Sequence, residues 1–90
     1  MKTYHYIVQG RVQRVNLRYY TQRTAYQLGL TGTVKNLYNG DVEVYAQGEE
    51  EVIRKFEEFL NRGPSSARIE RVIREEFEDK NAFPDFDVIF

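Results

Sequence analysis

The stretch of residues 10–18 constrains the fold more than any other part of the chain, because the spacing of apolar residues changes across it. Before it, residues 3–9 alternate as a half-buried strand does, with Tyr4, Tyr6 and Val8 on one face. After it, residues 17–28 have helical spacing, and one face carries Leu17, Tyr20, Thr21, Thr24, Ala25 and Leu28. Residues 10–18 are therefore predicted to be a loop that leads from a strand into the start of a helix.

This loop carries three arginines, Arg11, Arg14 and Arg18. A cation at a helix N-terminus opposes the helix dipole and costs about 0.3–1 kcal/mol. A bound anion reverses that argument, because free backbone N–H groups and a guanidinium together bind phosphate or carboxylate. The alternative is that the arginines are surface charges paired with some of the 14 acidic residues. The positions alone leave both interpretations open.

The rest of the chain completes an alternation of strands and helices. Residues 31–38 and 41–47 are predicted strands joined at Asn39-Gly40, a turn whose two residues both tolerate positive φ. Val42, Val44 and Ala46 face inward and Gln47 outward. Residues 49–62 are predicted to form a second helix. Residues 67–78 are predicted to be an extended segment that can contain a bulge, and a last strand carries Phe86, Val88 and Phe90 on one face. The predicted class is α+β, a ferredoxin-like βαββαβ sandwich with two helices on one face of a four- to five-stranded, mostly antiparallel sheet.

Composition narrows the class of protein further. A chain of 90 residues is long enough for one core, so residues 1–90 are predicted to form a single domain. A net charge of −1 provides no general attraction to nucleic acid or to an anionic membrane. The chain has no cysteine, its first residues lack a signal peptide, and no segment approaches the length of a membrane span. We therefore expect a cytoplasmic protein with neither a nucleic acid nor a membrane as partner.

Most classes of catalytic site find little support in these residues. Ser65 and Ser66 lie in a short connection, and the only histidine, His5, lies on a strand without ligands at metal spacing. The seven tyrosines suggest base stacking by an RNA-binding sheet, but acidic Asp41 and Glu43 occupy outward positions. The arginine loop remains as the candidate site. Asn36 is a candidate partner for it, but the residues alone favour the simpler interpretation that Asn36 only begins the Asn39-Gly40 turn.

Two motifs resemble the acylphosphatase family, whose patterns are G-x-V-Q-G-V-x-F-R and A-x-x-x-G-x-x-G-x-V-x-N-x-x-x-G. The first stands here as Gly10-Arg11-Val12-Gln13-Arg14-Val15-Asn16-Leu17-Arg18. The second stands as Ala25-Tyr26-Gln27-Leu28-Gly29-Leu30-Thr31-Gly32-Thr33-Val34-Lys35-Asn36, with Gly40 at its end. The stretch Gly63-Pro64-Ser65-Ser66-Ala67-Arg68-Ile69 and the closing Phe86-Asp87-Val88-Ile89-Phe90 are also similar to the family, so the resemblance covers essentially the whole chain.

The resemblance implies a metal-independent acylphosphatase, which hydrolyses small acyl phosphates to a carboxylate and inorganic phosphate by direct attack of water. It implies that Arg18 and Asn36 are catalytic, the first on the phosphoryl group and the second on the attacking water. The phosphate, or a similar anion, would be bound by the loop residues Gln13, Arg14, Val15, Asn16, Leu17 and Arg18. No metal and no cofactor are implied, and we expect a monomer.

The chain departs from the family pattern at four positions. Arg14 replaces the glycine in the middle of the loop, where positive φ lets the backbone approach the phosphate closely. Asn16 occupies a position where glycine is common, and asparagine tolerates a left-handed conformation. Leu17 replaces phenylalanine, and Leu37 replaces a hydroxyl residue. Because of Arg14, the alternative is an acylphosphatase-like domain that binds an anion with little or no turnover.

Overall fold

The computed structural model of the protein describes residues 2–13, 16–79 and 81–90. Five strands and two helices follow one another along this part of the chain. They are β1 (Lys2–Arg11), α1 (Leu17–Leu28), β2 (Thr31–Asn36), β3 (Val42–Gln47), α2 (Glu50–Arg62), β4 (Arg68–Glu78) and β5 (Phe86–Ile89). No helix in these residues is long and apolar enough to cross a membrane.

The strands form one sheet in the order β4-β1-β3-β2-β5. The three pairs between β4 and β2 are antiparallel, and only β5 lies parallel to its neighbour β2. α1 packs against β2, β5 and α2, while α2 also packs against β4. The βαββαβ order with a fifth strand confirms the ferredoxin-like class predicted from the sequence.

The core lies between the helices and one face of the sheet, and the alternation of the strands determines which side chains enter it. On β1 and β3, the inward residues predicted from the sequence are all buried. The sheet contributes Tyr4, Tyr6, Val8, Val34, Val42, Val44, Ala46 and Phe86. The helices contribute Leu17, Thr21, Ala25, Ile53, Phe56 and Leu60. Both helices therefore cover the same face, because these strand residues all point to one side of the pleat.

The turn between β2 and β3 differs from the prediction. Asn39 does not have positive φ; only Gly40 does, at 98°. The N–H of Gly40 donates to the carbonyl of Leu37 at 3.2 Å, and the N–H of Leu37 donates to the carbonyl of Asp41 at 2.8 Å. The connection is therefore a three-residue loop that ends in a left-handed glycine, and β2 stops at Asn36, two residues earlier than predicted.

The bulge that the sequence suggested lies in β4. The pairing of β1 with β4 shifts from Gln9↔Arg71 to Gly10↔Ile69, so Glu70 is the extra residue.

Gln47 was predicted to face outward, but it is covered and only 2% exposed. Its side-chain amide donates to Thr3 Oγ1 and to the carbonyl of Asn81, each at 2.8 Å. Its Oε1 accepts from the N–H of Phe83 at 2.9 Å. The segment before β5 covers this corner of the otherwise open face.

Candidate active site

The site is built on the N-terminus of α1. Asn16 precedes the helix in the left-handed conformation, with φ 58° and ψ 32°, which agrees with the tolerance expected of asparagine. Its side chain makes no capping hydrogen bond, and the first turn contains no acidic residue. The first N–H groups of a helix have no acceptor within the helix, so they are available to an anion here.

Arg18 lies in this first turn and carries the charge of the site. Its Nη1 donates to the carbonyl of Ile89 at 3.3 Å, and its Cζ lies 4.8 Å from the centroid of the Phe90 ring. Among the described residues, no carboxylate forms an ion pair with it. A neutral carbonyl and an aromatic face hold the guanidinium in place without neutralising it, so its charge can attract an anion.

Gln13 ties the loop to the β2–β3 hairpin. Its Nε2 donates to the carbonyl of Leu37 at 2.6 Å and to the carbonyl of Asp41 at 2.8 Å. These two residues flank the last pair of the ladder, Asn36↔Val42. The side chain of Gln13 therefore brings the loop next to the end of β2, where Asn36 lies.

Asn36 has an unusual polar atom. Its Oδ1 is buried, and it accepts no hydrogen bond from any described residue. A buried carbonyl oxygen without a donor costs about 1–3 kcal/mol, so such an atom in a stable fold calls for a partner.

A cavity of about 520 Å³ opens beside the loop, and Gln13, Asn16 and Arg18 are among the residues that line it. The structure thus brings together three of the predicted site residues at one surface. The side chain of Leu17 belongs to the core instead, since the residue is 0% exposed. Asn36 is not among the described residues that line the cavity. Arg14 and Val15 lie outside the described residues, as does any effect of Arg14 on the loop.

Sequence reasoning missed one feature of this site. The alternation predicts Phe90 on the last strand, on the same face as Phe86 and Val88, but β5 ends at Ile89 and Phe90 is 96% exposed. The partner of the loop arginine is therefore an aromatic residue at the far end of the sequence, and no local pattern connects positions 18 and 90.

The other residues considered for chemistry lie elsewhere. His5 Nε2 is 2.9 Å from Glu43 Oε2 across β1 and β3, and its ring centroid lies 4.6 Å from that of Tyr45. This is the cross-strand role expected for a lone histidine on a strand. No group of three or more histidine and acidic side chains within the described ranges could hold a metal ion.

Comparison with known proteins identifies the family of the chain. The family model described as Acylphosphatase matches residues 4–88. An acylphosphatase of Vibrio parahaemolyticus is 51% identical over 75 residues, which are 83% of each chain. The crystal structure of an acylphosphatase from Bacillus subtilis superposes with a TM-score of 0.95 and 32% identity, and the match covers 100% of both chains. The structure of an acylphosphatase from Coxiella burnetii superposes with a TM-score of 0.91 and 40% identity, and the match covers 98% of this chain and 92% of that one. None of these similarities favours the binding-only alternative. The chain belongs to the acylphosphatase family, hydrolases that act on acyl phosphates.

Proposed function

We propose that Arg18 binds the phosphoryl group of an acyl phosphate, that Asn36 holds the attacking water, and that the backbone N–H groups from Gln13 to Arg18 bind the phosphoryl oxygens. The leaving group is a carboxylate, a weak base that departs without protonation by a strong acid. Positioning and stabilisation of charge on the phosphoryl oxygens therefore suffice for the reaction. We propose no metal and no cofactor.

The observation that carries this proposal is that no described carboxylate neutralises the charge of Arg18. Its charge lies in the first turn of a helix that has no side-chain cap and no acidic residue, and no described carboxylate pairs with it. A cation in that position is unfavourable on its own and becomes favourable when a dianion binds to the same N–H groups. The planar fork of arginine also donates two parallel hydrogen bonds to phosphoryl oxygens, which lysine cannot do.

The role of Asn36 rests on the family motif that it matches and on its place at the end of β2, beside the hairpin carbonyls to which Gln13 donates. A water hydrogen-bonded to the side-chain amide of Asn36 is held with its lone pairs free to attack, so the amide orients the nucleophile without taking its proton. Attack of this water on phosphorus forms one P–O bond while the P–O bond to the acyl group breaks. The proton of the water passes to an oxygen of the substrate's own phosphoryl group. The products are a carboxylate and inorganic phosphate.

A hydrolysis assay in the presence of EDTA tests the proposal directly. The wild-type protein is expected to hydrolyse acetyl phosphate above the spontaneous rate without added metal. Arg18→Ala and Asn36→Ala are each expected to lower kcat/KM by at least about 100-fold, the cost of losing one preorganised charge-stabilising or positioning group. Arg23→Ala, on an exposed position of the same helix, and Asn61→Ala, on α2, are matched controls expected to retain activity.

Two results would contradict the proposal. Wild-type protein without turnover above background would eliminate the catalytic function. Full activity in Arg18→Ala or in Asn36→Ala would show that the reaction does not depend on the group assigned to it. Titration with inorganic phosphate, followed by backbone amide shifts, separates binding from turnover, since movement is expected at residues 13–18 in either case.

Three further expectations complete the proposal and concern the whole protein. We propose that residues 1–90 act as a single domain, that the protein is a monomer, and that it works in the cytoplasm on small acyl phosphates, with no membrane or nucleic acid as partner. Light scattering measures the mass in solution, and cell fractionation measures the location. A dimer mass, or recovery outside the cytoplasmic fraction, would overturn the corresponding expectation.

A further inference from the structure

Arg11, the first of the three loop arginines, has no part in the proposed chemistry, and the structure places it beside two others. It is the exposed last residue of β1, and its partner in the ladder with β4 is Arg68, also exposed. Arg71 is exposed and pairs with Gln9, two residues or about 7 Å further along β1. A Cβ on Gly10 would overlap the carbonyl oxygen of Arg68, so the two strands approach each other closely here. The ladder therefore holds Arg11, Arg68 and Arg71 together as an arginine cluster at one end of the sheet.

No carboxylate among the described residues neutralises the arginine cluster. The ion pairs in this part of the chain involve other basic groups. Glu70, the bulge residue between Arg68 and Arg71, forms an ion pair with neither of them. Asp41 Oδ2, on the hairpin beside β1, accepts from the amides of Gln9 and Asn39 instead. Like charges that stand directly opposite each other destabilise a sheet. The cluster therefore has unused positive charge, which is available to an anion in solution.

The arginine cluster borders the loop proposed to bind phosphate. Gln13, the first residue of that binding set, follows Arg11 by two positions, so their Cα atoms are at most about 7 Å apart. A cavity of about 500 Å³ lies between the end of β1 and the hairpin, and Arg11, Gln13 and Gly40 are among the residues that line it. Gln13 also lines the cavity that contains Arg18. The charge of Arg11 therefore acts within roughly 10 Å of the beginning of the loop.

The range of the electrostatic force determines what such a cluster can do. In water of low ionic strength, the attraction between a dianion and one positive charge about 10 Å away changes affinity several-fold. The whole chain has a net charge of −1 and so has no general attraction for an anion, which leaves this task to a local cluster. We propose that the arginine cluster attracts the acyl phosphate dianion to the loop and raises its concentration there without contacting the reacting atoms. This inference rests on the proposed function, which places the phosphoryl group on the loop.

Hydrolysis of acetyl phosphate by charge variants, measured at two ionic strengths, tests this role. At about 0.02 M, Arg11→Gln and Arg68→Gln are each expected to lower kcat/KM roughly two- to fourfold. The change should lie in KM, with kcat unaltered, because the reacting atoms are untouched. In the double variant the two factors are expected to multiply. At about 0.2 M, where the Debye length is about 7 Å, each loss should fall below about 1.5-fold.

Two matched variants show whether charge and its place are what matter. Arg11→Lys keeps the charge but not the planar fork, and it is expected to retain the wild-type KM and its dependence on salt. Lys2→Gln removes the same unit charge from the other end of β1, about 30 Å from Arg11, and is expected to leave KM unchanged.

Two measurements do not depend on turnover. Titration with inorganic phosphate, followed by the backbone amide shifts of residues 13–18, should give a Kd that rises two- to fourfold in Arg11→Gln and in Arg68→Gln at about 0.02 M ionic strength. The urea midpoint of unfolding should rise in Arg11→Gln, because the variant removes one of two opposed like charges. A midpoint that falls would contradict the unpaired charge on which the inference depends.

The outcomes separate this inference from the proposed function. If the wild type hydrolyses acetyl phosphate while Arg11→Gln and Arg68→Gln leave KM unchanged at low ionic strength, the attraction is wrong and the proposed function stands. An equal loss in Arg11→Lys or in Lys2→Gln would also overturn it, because the effect would then not come from charge beside the loop. If the wild type shows no turnover but the variants weaken phosphate binding, the proposed function fails and the attraction of anions stands. If phosphate binding is unchanged as well, both fail.

Discussion

The side-chain amide of Gln13 donates a 2.6 Å hydrogen bond to the carbonyl of Leu37, the residue that directly follows Asn36. The same nitrogen donates to Asp41, the residue before the cross-strand partner of Asn36. One side chain thus fixes the distance between the two halves of the proposed site, the anion-binding loop and the residue that holds water. The side chain of Gln13 acts here by positioning the loop, while only its backbone N–H is proposed to contact the phosphoryl group.

Replacing Gln13 should therefore harm both stability and activity. Both carbonyls also accept backbone hydrogen bonds, so Gln13→Leu leaves no orphaned acceptor, and a loss of about 1–2 kcal/mol is expected in urea unfolding. We expect kcat/KM to fall roughly ten- to hundredfold, because a loop displaced by a fraction of an ångström misaligns water and phosphorus. Gln9→Leu, whose amide makes one 3.3 Å bond to Asp41 Oδ2, is the control. Lost stability with unchanged kcat/KM would contradict the positioning role.

At Gly32 the backbones of β2 and β3 approach each other closely. It has φ of 150°, and a Cβ at this position would overlap the carbonyl oxygen of Tyr45 on β3. Gly32→Ala is expected to destabilise the fold by about 3–5 kcal/mol, since neither backbone can move without breaking the ladder. Gly40 also has positive φ, 98°, but nothing lies within 4 Å of its absent Cβ. Gly40→Ala should cost only about 1–2 kcal/mol, and equal losses in the two variants would argue against the clash.

The elements of this fold were predictable where the local pattern is unambiguous. α1 begins at Leu17 and ends at Leu28 as predicted, because apolar spacing sets its length and Gly29 takes the left-handed conformation that ends it. Gln47 could not be predicted, because a segment more than 30 residues away covers it, as its hydrogen bond to the carbonyl of Asn81 shows. The position of Phe90 could not be predicted for the same reason, because Arg18, which it contacts, lies at the other end of the sequence.

The site, too, was predictable where a sequence motif indicates it and not where distant segments meet. Family motifs pointed to Arg18 and Asn36, and the structure places Arg18 at an uncapped helix start, as the spacing predicted. The motifs contain Gln13 as well, but they do not show what it binds, because its acceptors are backbone carbonyls on the hairpin. Tertiary hydrogen bonds to the backbone leave no trace in side-chain patterns.

Thr21 carries a second buried polar atom without a partner among the described residues. Its side chain is 0% exposed, and its Oγ1 has no hydrogen-bond partner among the described residues. Thr21→Val keeps the shape and removes the unpaired hydroxyl, so stability should rise by up to about 1 kcal/mol. Thr3→Val is the matched control: its Oγ1 accepts from Gln47 at 2.8 Å, and its loss should cost about 1–2 kcal/mol. A clear loss in Thr21→Val would reveal a partner for that hydroxyl.

Tyr6 links the stability of the core to pH. Its hydroxyl donates to Glu57 Oε2 at 2.7 Å, and Arg74 Nε donates to the same oxygen at 2.6 Å. Burial raises the pKa of Tyr6 far above the ordinary 10.0, and the hydrogen bond to the Glu57 carboxylate adds to the rise. The folded state therefore favours the protonated phenol. This contribution to stability is complete below pH 10 and is lost progressively above it, where the unfolded chain ionises.

Comparison of Tyr6→Phe with the wild type at two pH values measures this contribution. At pH 8, Tyr6→Phe is expected to lose about 1–3 kcal/mol, the value of a hydrogen bond to a charged group. At pH 11, the unfolded wild type gains about 1.4 kcal/mol from ionising Tyr6, so the difference between the two proteins should shrink by that amount. Tyr4→Phe is the control, because Tyr4 lies on the same face of β1 and is 1% exposed, against 0% for Tyr6. Urea unfolding provides both free energies, and a difference that stays constant from pH 8 to pH 11 would show that the folded state does not hold the Tyr6 proton.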